Sequence, residues 1–145
     1  MNTLDRPNSI KLRFSILRHD LDDGSFHFDW MFESHSGSAL RTWSVPEGVD
    51  PCREFRGLCR RLADHRPIYL AYQGPLSGQR GTVKRIDQGE FCLRANSEEN
   101  WQALLDGERM RGSVEFTAQG NDWLMVYRPT CQHDPASAPD DHCDR

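Results

Sequence analysis

The chain has 145 residues, 37% hydrophobic and 28% charged, with a formal net charge of −4; that is enough for one core and too little for several catalytic domains. No apolar run reaches the ~20 residues of a membrane span, and the opening stretch MNTLDRPNSIKLRF lacks the continuous apolar segment of a signal peptide, so a cytoplasmic location without membrane contact is expected. Net acidity does not advertise a nucleic-acid binder, but the last fifteen residues hold four Asp against one Arg, so the rest can still present a local basic face.

Residues 1–9 are polar and read as a flexible N-terminus, 10–129 as one folded domain, and 130–145, rich in Pro, Asp, Ser and Ala, as a disordered acidic tail. From Lys11 to His19, Leu12, Phe14 and Ile16 alternate with Lys11, Arg13 and Ser15, the period of a strand. Asp22-Asp23-Gly24 has the chemistry of a three-residue hairpin loop, and Phe26–Glu33 alternates again as the returning strand. A turn over 34–38 leads to a third strand, Ala39–Val45. Val49–Leu62 reads as a helix, with Pro51 in its first turn after Asp50 and Val49, Phe55, Leu58, Cys59 and Leu62 near helical spacing. Ile68–Tyr72 reads as a short strand, and Gly81–Ile86 with Glu90–Ala95 as a hairpin around Asp87-Gln88-Gly89. Ser97–Leu105 reads as a second helix capped by Ser97, and Arg109–Ala118 with Asp122–Tyr127 as the last hairpin. The sum is a mainly β chain: an antiparallel barrel of about seven or eight strands with two short helices, since closure removes exposed sheet edges. The five cysteines include no CxxC pair and are expected to be reduced, with Cys52, Cys59 and Cys92 as small core fillers.

The first hairpin carries the main chemical expectation. A loop of Asp22, Asp23 and Gly24 would set His19 opposite His27 on one face of the ladder, and Asp29 shares that face. Two imidazoles and a carboxylate on rigid strands leave coordination positions open, as a catalytic divalent metal such as Mn²⁺ or Zn²⁺ requires; three polar residues on a solvated strand face are the plainer alternative. His65, with Tyr69 shortly after it, has the chemistry to hold a phosphoryl oxygen or protonate a leaving group. Arg53, Arg56, Arg60, Arg61 and Arg66 suit either a phosphate-backbone face or the solvated side of a helix. Cys131, His133, His142 and Cys143 hold soft donors within the tail, with no matching pair elsewhere.

Three stretches in order, FSILRHD…FHFDWMFE, ALRTWSVPEG and RLADHRPIYLAYQGPLSGQRGTV, resemble the 3′-phosphoesterase domain of bacterial and archaeal DNA ligase D. That family runs K-H-D-A-R-R-L-H-Y-D-F-R-L-E, L-K-S-W-A-V-P-K-G and E-D-H-P-L-x-Y, and the resemblance spans residues 14–129, including the closing GERMRGSVEFTAQGNDWLMVYRP. It implies a β-barrel, manganese-dependent phosphoesterase that trims a 3′-ribonucleoside or 3′-phosphate from DNA or RNA-tipped DNA ends, with a separate DNA ligase or other repair machinery as partner. His19, His27 and Asp29 fall on the family's metal ligands, His65 on its phosphate-contacting histidine, Tyr69 on the tyrosine after it, and Arg41 on a lysine. There are departures. The His19–His27 interval is two residues longer, Met31 replaces a phosphate-contacting arginine, Glu47 replaces a lysine, Arg66 is an extra residue after His65, and Arg80 replaces a tyrosine. An even insertion keeps both imidazoles on one face, and Arg66 or Arg80 is expected to supply the missing phosphate contact. Two functions follow: an active metallo-phosphoesterase, or a catalytically impaired relative that binds nucleic acid or a repair protein.

Overall fold

The structure is a computed structural model that describes residues 11–130. The expected flexible N-terminus, the acidic tail and its soft-donor cluster lie outside the described residues, apart from Thr130, whose N–H donates to the Arg111 carbonyl. Nine strands form one antiparallel sheet: β1 (Leu12–Asp20), β2 (Phe26–Glu33), β3 (Leu40–Val45), β4 (Phe55–His65), β5 (Gly74–Pro75), β6 (Thr82–Asn96), β7 (Asn100–Gly107), β8 (Arg111–Gln119) and β9 (Asp122–Pro129). Their order is β1-β2-β3-β4-β9-β8-β7-β6-β5, and β1 also pairs with β6. That last pairing closes eight strands into a barrel, with the two-residue β5 as an appendage on β6. No helix among the described residues is long and apolar enough to cross a membrane.

The barrel is as expected; the two helices are not. Asp50-Pro51 starts a turn instead of a helix, with Asp50 accepting the Cys52 N–H through Oδ1 and the Arg53 N–H through its carbonyl. Beyond it the chain is the extended β4, in which Phe55, Gly57, Cys59 and Arg61 take the inward parity. Ser97 uses its capping chemistry in a turn too: its hydroxyl accepts the Asn100 N–H, closing the connection from β6 to β7. The only helical turns among the described residues are 3₁₀ segments, Pro67–Leu70 and Ser77–Gln79, the first of them where a strand was expected. Asp87-Gln88-Gly89 is the middle of the continuous 15-residue β6, which borders both β1 and β7. Asp87 is buried there and accepts the Arg109 and Met110 N–H groups, pinning the β7–β8 turn.

The wall has two apolar sides. Inside, Phe32 is fully buried and contacts Phe14, Trp43, Phe91, Trp101 and Phe116, while Trp43 stacks on Phe116 at 3.9 Å. Leu17, Met31, Leu40 and Val83, of opposite parity, form a second cluster with Leu70 of the 66–81 segment, and Tyr69, Tyr72 and Leu76 of that segment pack against it. This outer cluster fastens that segment to the barrel, each fully buried side chain of this size contributing roughly 1.5–3 kcal/mol. Cys59 and Cys92 are buried and Cys52 is exposed. Burial, with a smaller effect of Asp122, pushes the Cys59 thiol up to about 12, and Cys92 is disulfide-bonded, against the expectation of reduced thiols. Phe32→Ala is expected to cost about 3–5 kcal/mol of unfolding free energy in urea titration, because the ring touches five other aromatic residues at once.

Candidate metal centre

The first hairpin forms in the expected register. Leu21 N–H donates to Ser25 O at 2.8 Å, Asp20 faces Phe26, and His19 faces His27. Gly24 takes φ +91°, the left-handed conformation that the three-residue loop demands. Asp23 accepts the Ser25 N–H and O–H groups and is held below the usual carboxylate range by them.

Phe14, Ile16, Phe28, Trp30 and Phe32 fill the barrel, so period-two alternation turns His19, His27 and Asp29 outward, beside the second apolar cluster. One ligand atom from each lies within 4.8 Å of the other two. The imidazole rings of His19 and His27 meet edge-on at 4.9 Å between centroids. Asp29 is only 3% exposed. Its Oδ1 is sealed from solvent without a hydrogen-bond partner: His27 Nδ1 stands 2.9 Å away, but the contact lacks hydrogen-bond alignment. A buried anionic oxygen with no aligned donor suits a cation that shares it with the neighbouring nitrogens, so the three residues fit a divalent ion of mixed nitrogen and oxygen preference.

Second contacts orient the candidate ligands. His19 Nε2 lies 2.7 Å from the Arg80 carbonyl. A carbonyl only accepts, so Nε2 carries a proton, and this contact turns Nδ1 toward Asp29 Oδ2, 4.0 Å away. His27 Nδ1 meets the Ser44 hydroxyl at 3.1 Å. The Arg80 carbonyl reaches His19 because Gly81 adopts φ +94° against β1, where a β-carbon would sit 2.0 Å from the Asp20 oxygen.

His65 joins the same group, from the end of β4 instead of a loop. Leu40 pairs with His65 while Thr42 pairs with Leu62, so β4 carries one residue more than β3 between those pairs. Without this bulge Asp64 would face Leu40, and His65 would turn inward. As built, His65 Nε2 is 3.5 Å from Asp29 Oδ2 and Nδ1 is 3.1 Å from the Ala63 carbonyl. Burial alone would lower the His65 pKa, but the Asp29 carboxylate, with help from the Ala63 carbonyl and Asp64, holds it above the ordinary value. Burial would likewise raise Asp29, and the His27 and His65 imidazoles more than offset it, leaving that carboxyl below its usual range.

A cleft of about 270 Å³ opens here between the wall and the 66–81 segment, lined by His19, Asp29, His65, Arg66, Tyr69 and Arg80 among others. The Tyr69 ring lies 6.0 Å from His65. Arg66 is exposed at the head of the 3₁₀ turn Pro67–Leu70. Arg80 contributes mainly backbone, since its guanidinium donates to the Ser77 carbonyl and hydroxyl. Arg41 does not join the group. It pairs with Phe32 on the inward side of β3, donates to Asn96 Oδ1 at 2.9 Å, and lies 5.6 Å from the Trp43 ring centroid. Ser44, which sequence reasoning passed over, belongs to the site, and its place opposite Asp29 follows from the β2–β3 register. A larger cavity of about 380 Å³ at the barrel mouth is mostly apolar in lining, and its buried carboxylate, Asp87, is already satisfied by two backbone N–H groups.

No protein-family model and no curated protein matches the chain.

Two outcomes follow. Mn²⁺ is expected to stabilise the protein by about 2.7 kcal/mol at a hundredfold excess over Kd, read as a rise in Tm, and His27→Ala is expected to abolish that rise. Gly81→Ala is expected to separate the 66–81 segment from β1, losing the Nε2–H tautomer signature of His19 in ¹⁵N-resolved imidazole spectra and weakening Mn²⁺ binding.

Proposed function

We propose that the chain is a divalent-metal-dependent phosphoesterase that heals nucleic-acid 3′ ends in the cytoplasm, removing a 3′-ribonucleoside or 3′-phosphate so that a separate DNA ligase can join the end. The observation that carries this reading is the convergence of His19, His27 and Asp29 within 4.8 Å beside His65 in an open polar cleft. It agrees with what the resemblance to the ligase D phosphoesterase domain implies for these four residues.

His19, His27 and Asp29 would hold the ion, Mn²⁺ or another divalent metal, with Ser44 and the Arg80 carbonyl fixing ring orientation. A bound divalent ion supplies Lewis-acid polarisation of a phosphoryl oxygen and eases deprotonation of water. Hydrolysis of a 3′-phosphate forms a bond from the water oxygen to phosphorus and breaks the P–O3′ bond, and the leaving 3′ oxygen needs a proton. His65 suits that need: its Nδ1 is occupied by the Ala63 carbonyl, and its Nε2 faces the carboxylate at the cleft. Tyr69 stands edge-on to His65, where it would help to hold the imidazole in place. Arg66, exposed and without an ion-pair partner among the described residues, replaces Arg80 as the better candidate for the missing phosphate clamp.

One observation favours the second reading, a catalytically impaired module that binds nucleic acid or a repair protein. Met31 is fully buried in the outer cluster, so position 31 offers no cation to a transition state. The two readings separate on a primer ending in a 3′-ribonucleotide or 3′-phosphate, incubated with Mn²⁺ and with EDTA. Turnover confined to Mn²⁺ is expected, with His65→Ala slower by roughly 10²–10⁴ and Arg66→Ala raising the apparent KM. Manganese binding without turnover would establish the module instead.

A further inference from the structure

We infer that the outer face of β4 seats the phosphodiester backbone of the strand whose 3′ end enters the cleft; this rests on the nucleic-acid reading above and extends it to a surface outside the metal centre. The basic stretch is not a helix, and that changes where its charges go. In the extended β4, Arg56, Leu58 and Arg60 fall on the outward parity and are all exposed, Leu58 by 53%. A helix would have spread these residues around its axis; the strand puts them in line.

The stripe is joined to the site by register. Leu17 faces Asp29, Asp29 faces Ser44, and Ser44 faces Arg60. Arg60 is thus two strands from the Asp29 carboxylate, ~10 Å across the sheet, and Arg56 is ~13 Å further along β4. Four other arginines of the wall are engaged: Arg13 with Glu33, Arg18 with Asp20, Arg61 with Asp64 and Arg128 with Glu54. Arg56 and Arg60 have no ion-pair or side-chain hydrogen-bond partner among the described residues. Two uncompensated guanidinia in line with an anion-processing cleft suit the evenly spaced charges of a polynucleotide backbone, and Leu58 between them offers an apolar rest for a sugar or base edge. Because the whole chain is acidic, attraction must come from this local stripe and not from the overall field.

The test is fluorescence anisotropy with a recessed duplex ending in a 3′-phosphate, in EDTA to prevent turnover, titrated with salt. Arg56→Ala and Arg60→Ala are each expected to weaken binding equally across sequences and to reduce the slope of log K against log salt by about 0.7–0.9. Tm and the Mn²⁺-induced rise in Tm should be unchanged, and Arg109→Ala at the barrel mouth should leave the slope as in wild type. Variants with wild-type affinity and slope would overturn the inference, as would a wild-type protein that binds no nucleic acid or prefers anionic lipid vesicles. A stripe-dependent complex that shows no turnover with Mn²⁺ would sustain it while removing the enzymatic reading. Turnover unaffected by either arginine, with unchanged binding, would remove the stripe alone.

Discussion

Closure of the wall through the β1–β6 pairing is the constraint from which the site follows. A closed sheet has one inside, and in this chain it is filled with aromatic rings centred on Phe32. Once Phe14, Ile16, Phe28, Trp30 and Phe32 are committed inward, the residues between them have no choice of side. Leu17 and Met31 need cover, which the 66–81 segment provides, and His19, His27 and Asp29 are left at the margin of that cover. A one-residue slip between β1 and β2 would expose the aromatics and bury the imidazoles in the barrel. The energy that holds the polar group in register is therefore mainly that of the core on the other side of the wall.

The buried carboxylate gives the site its chemical character. An isolated carboxyl removed from water tends to take up a proton. Asp29 resists because the His27 and His65 imidazoles approach it, at 2.9 and 3.5 Å. Those same nitrogens are donors only when protonated; neutral, they present lone pairs beside an anionic oxygen, an arrangement that a cation relieves. Removing any one imidazole also leaves the carboxylate less compensated. A loss of stability on its own would thus say little about metal, whereas a loss of the metal-induced increment is specific.

The hairpin that carries the candidate ligands was legible because two independent rules agree there: loop chemistry at Asp22-Asp23-Gly24 and period-two alternation on both flanks. The closing hairpin was legible for the same reason. β4 was not. Asp50-Pro51 opens turns and helices alike, and an apolar set at Phe55, Leu58, Cys59 and Leu62 is nearer to helical than to strand periodicity. Its side pattern becomes intelligible only with the partner strands, where Arg61 lies 5.3 Å from the Trp43 ring and Leu58 stays exposed. The β3–β4 bulge leaves no mark in the sequence, yet it decides which way His65 points. Arg41 is the converse case: the resemblance set it on a lysine of the ligase D domain, and alternation sends it to the inward side of the wall.

Met31 ties these threads together. A methionine at this position serves the outer cluster, helping to fasten the 66–81 segment that supplies the Arg80 carbonyl to His19 and carries Arg66. An arginine there would have to desolvate its charge beneath that cover or push the cover away. Met31 therefore gives the 66–81 segment a well-seated wall and no cation at this position, and under the proposed function the cations that meet a phosphate would come from the exposed rim: Arg66 on one flank, Arg60 on the other. Rim charges act through water and are screened by salt. Under the proposed function such a site would depend on ionic strength for capturing its ligand, and on the ion and His65 for the chemistry that follows.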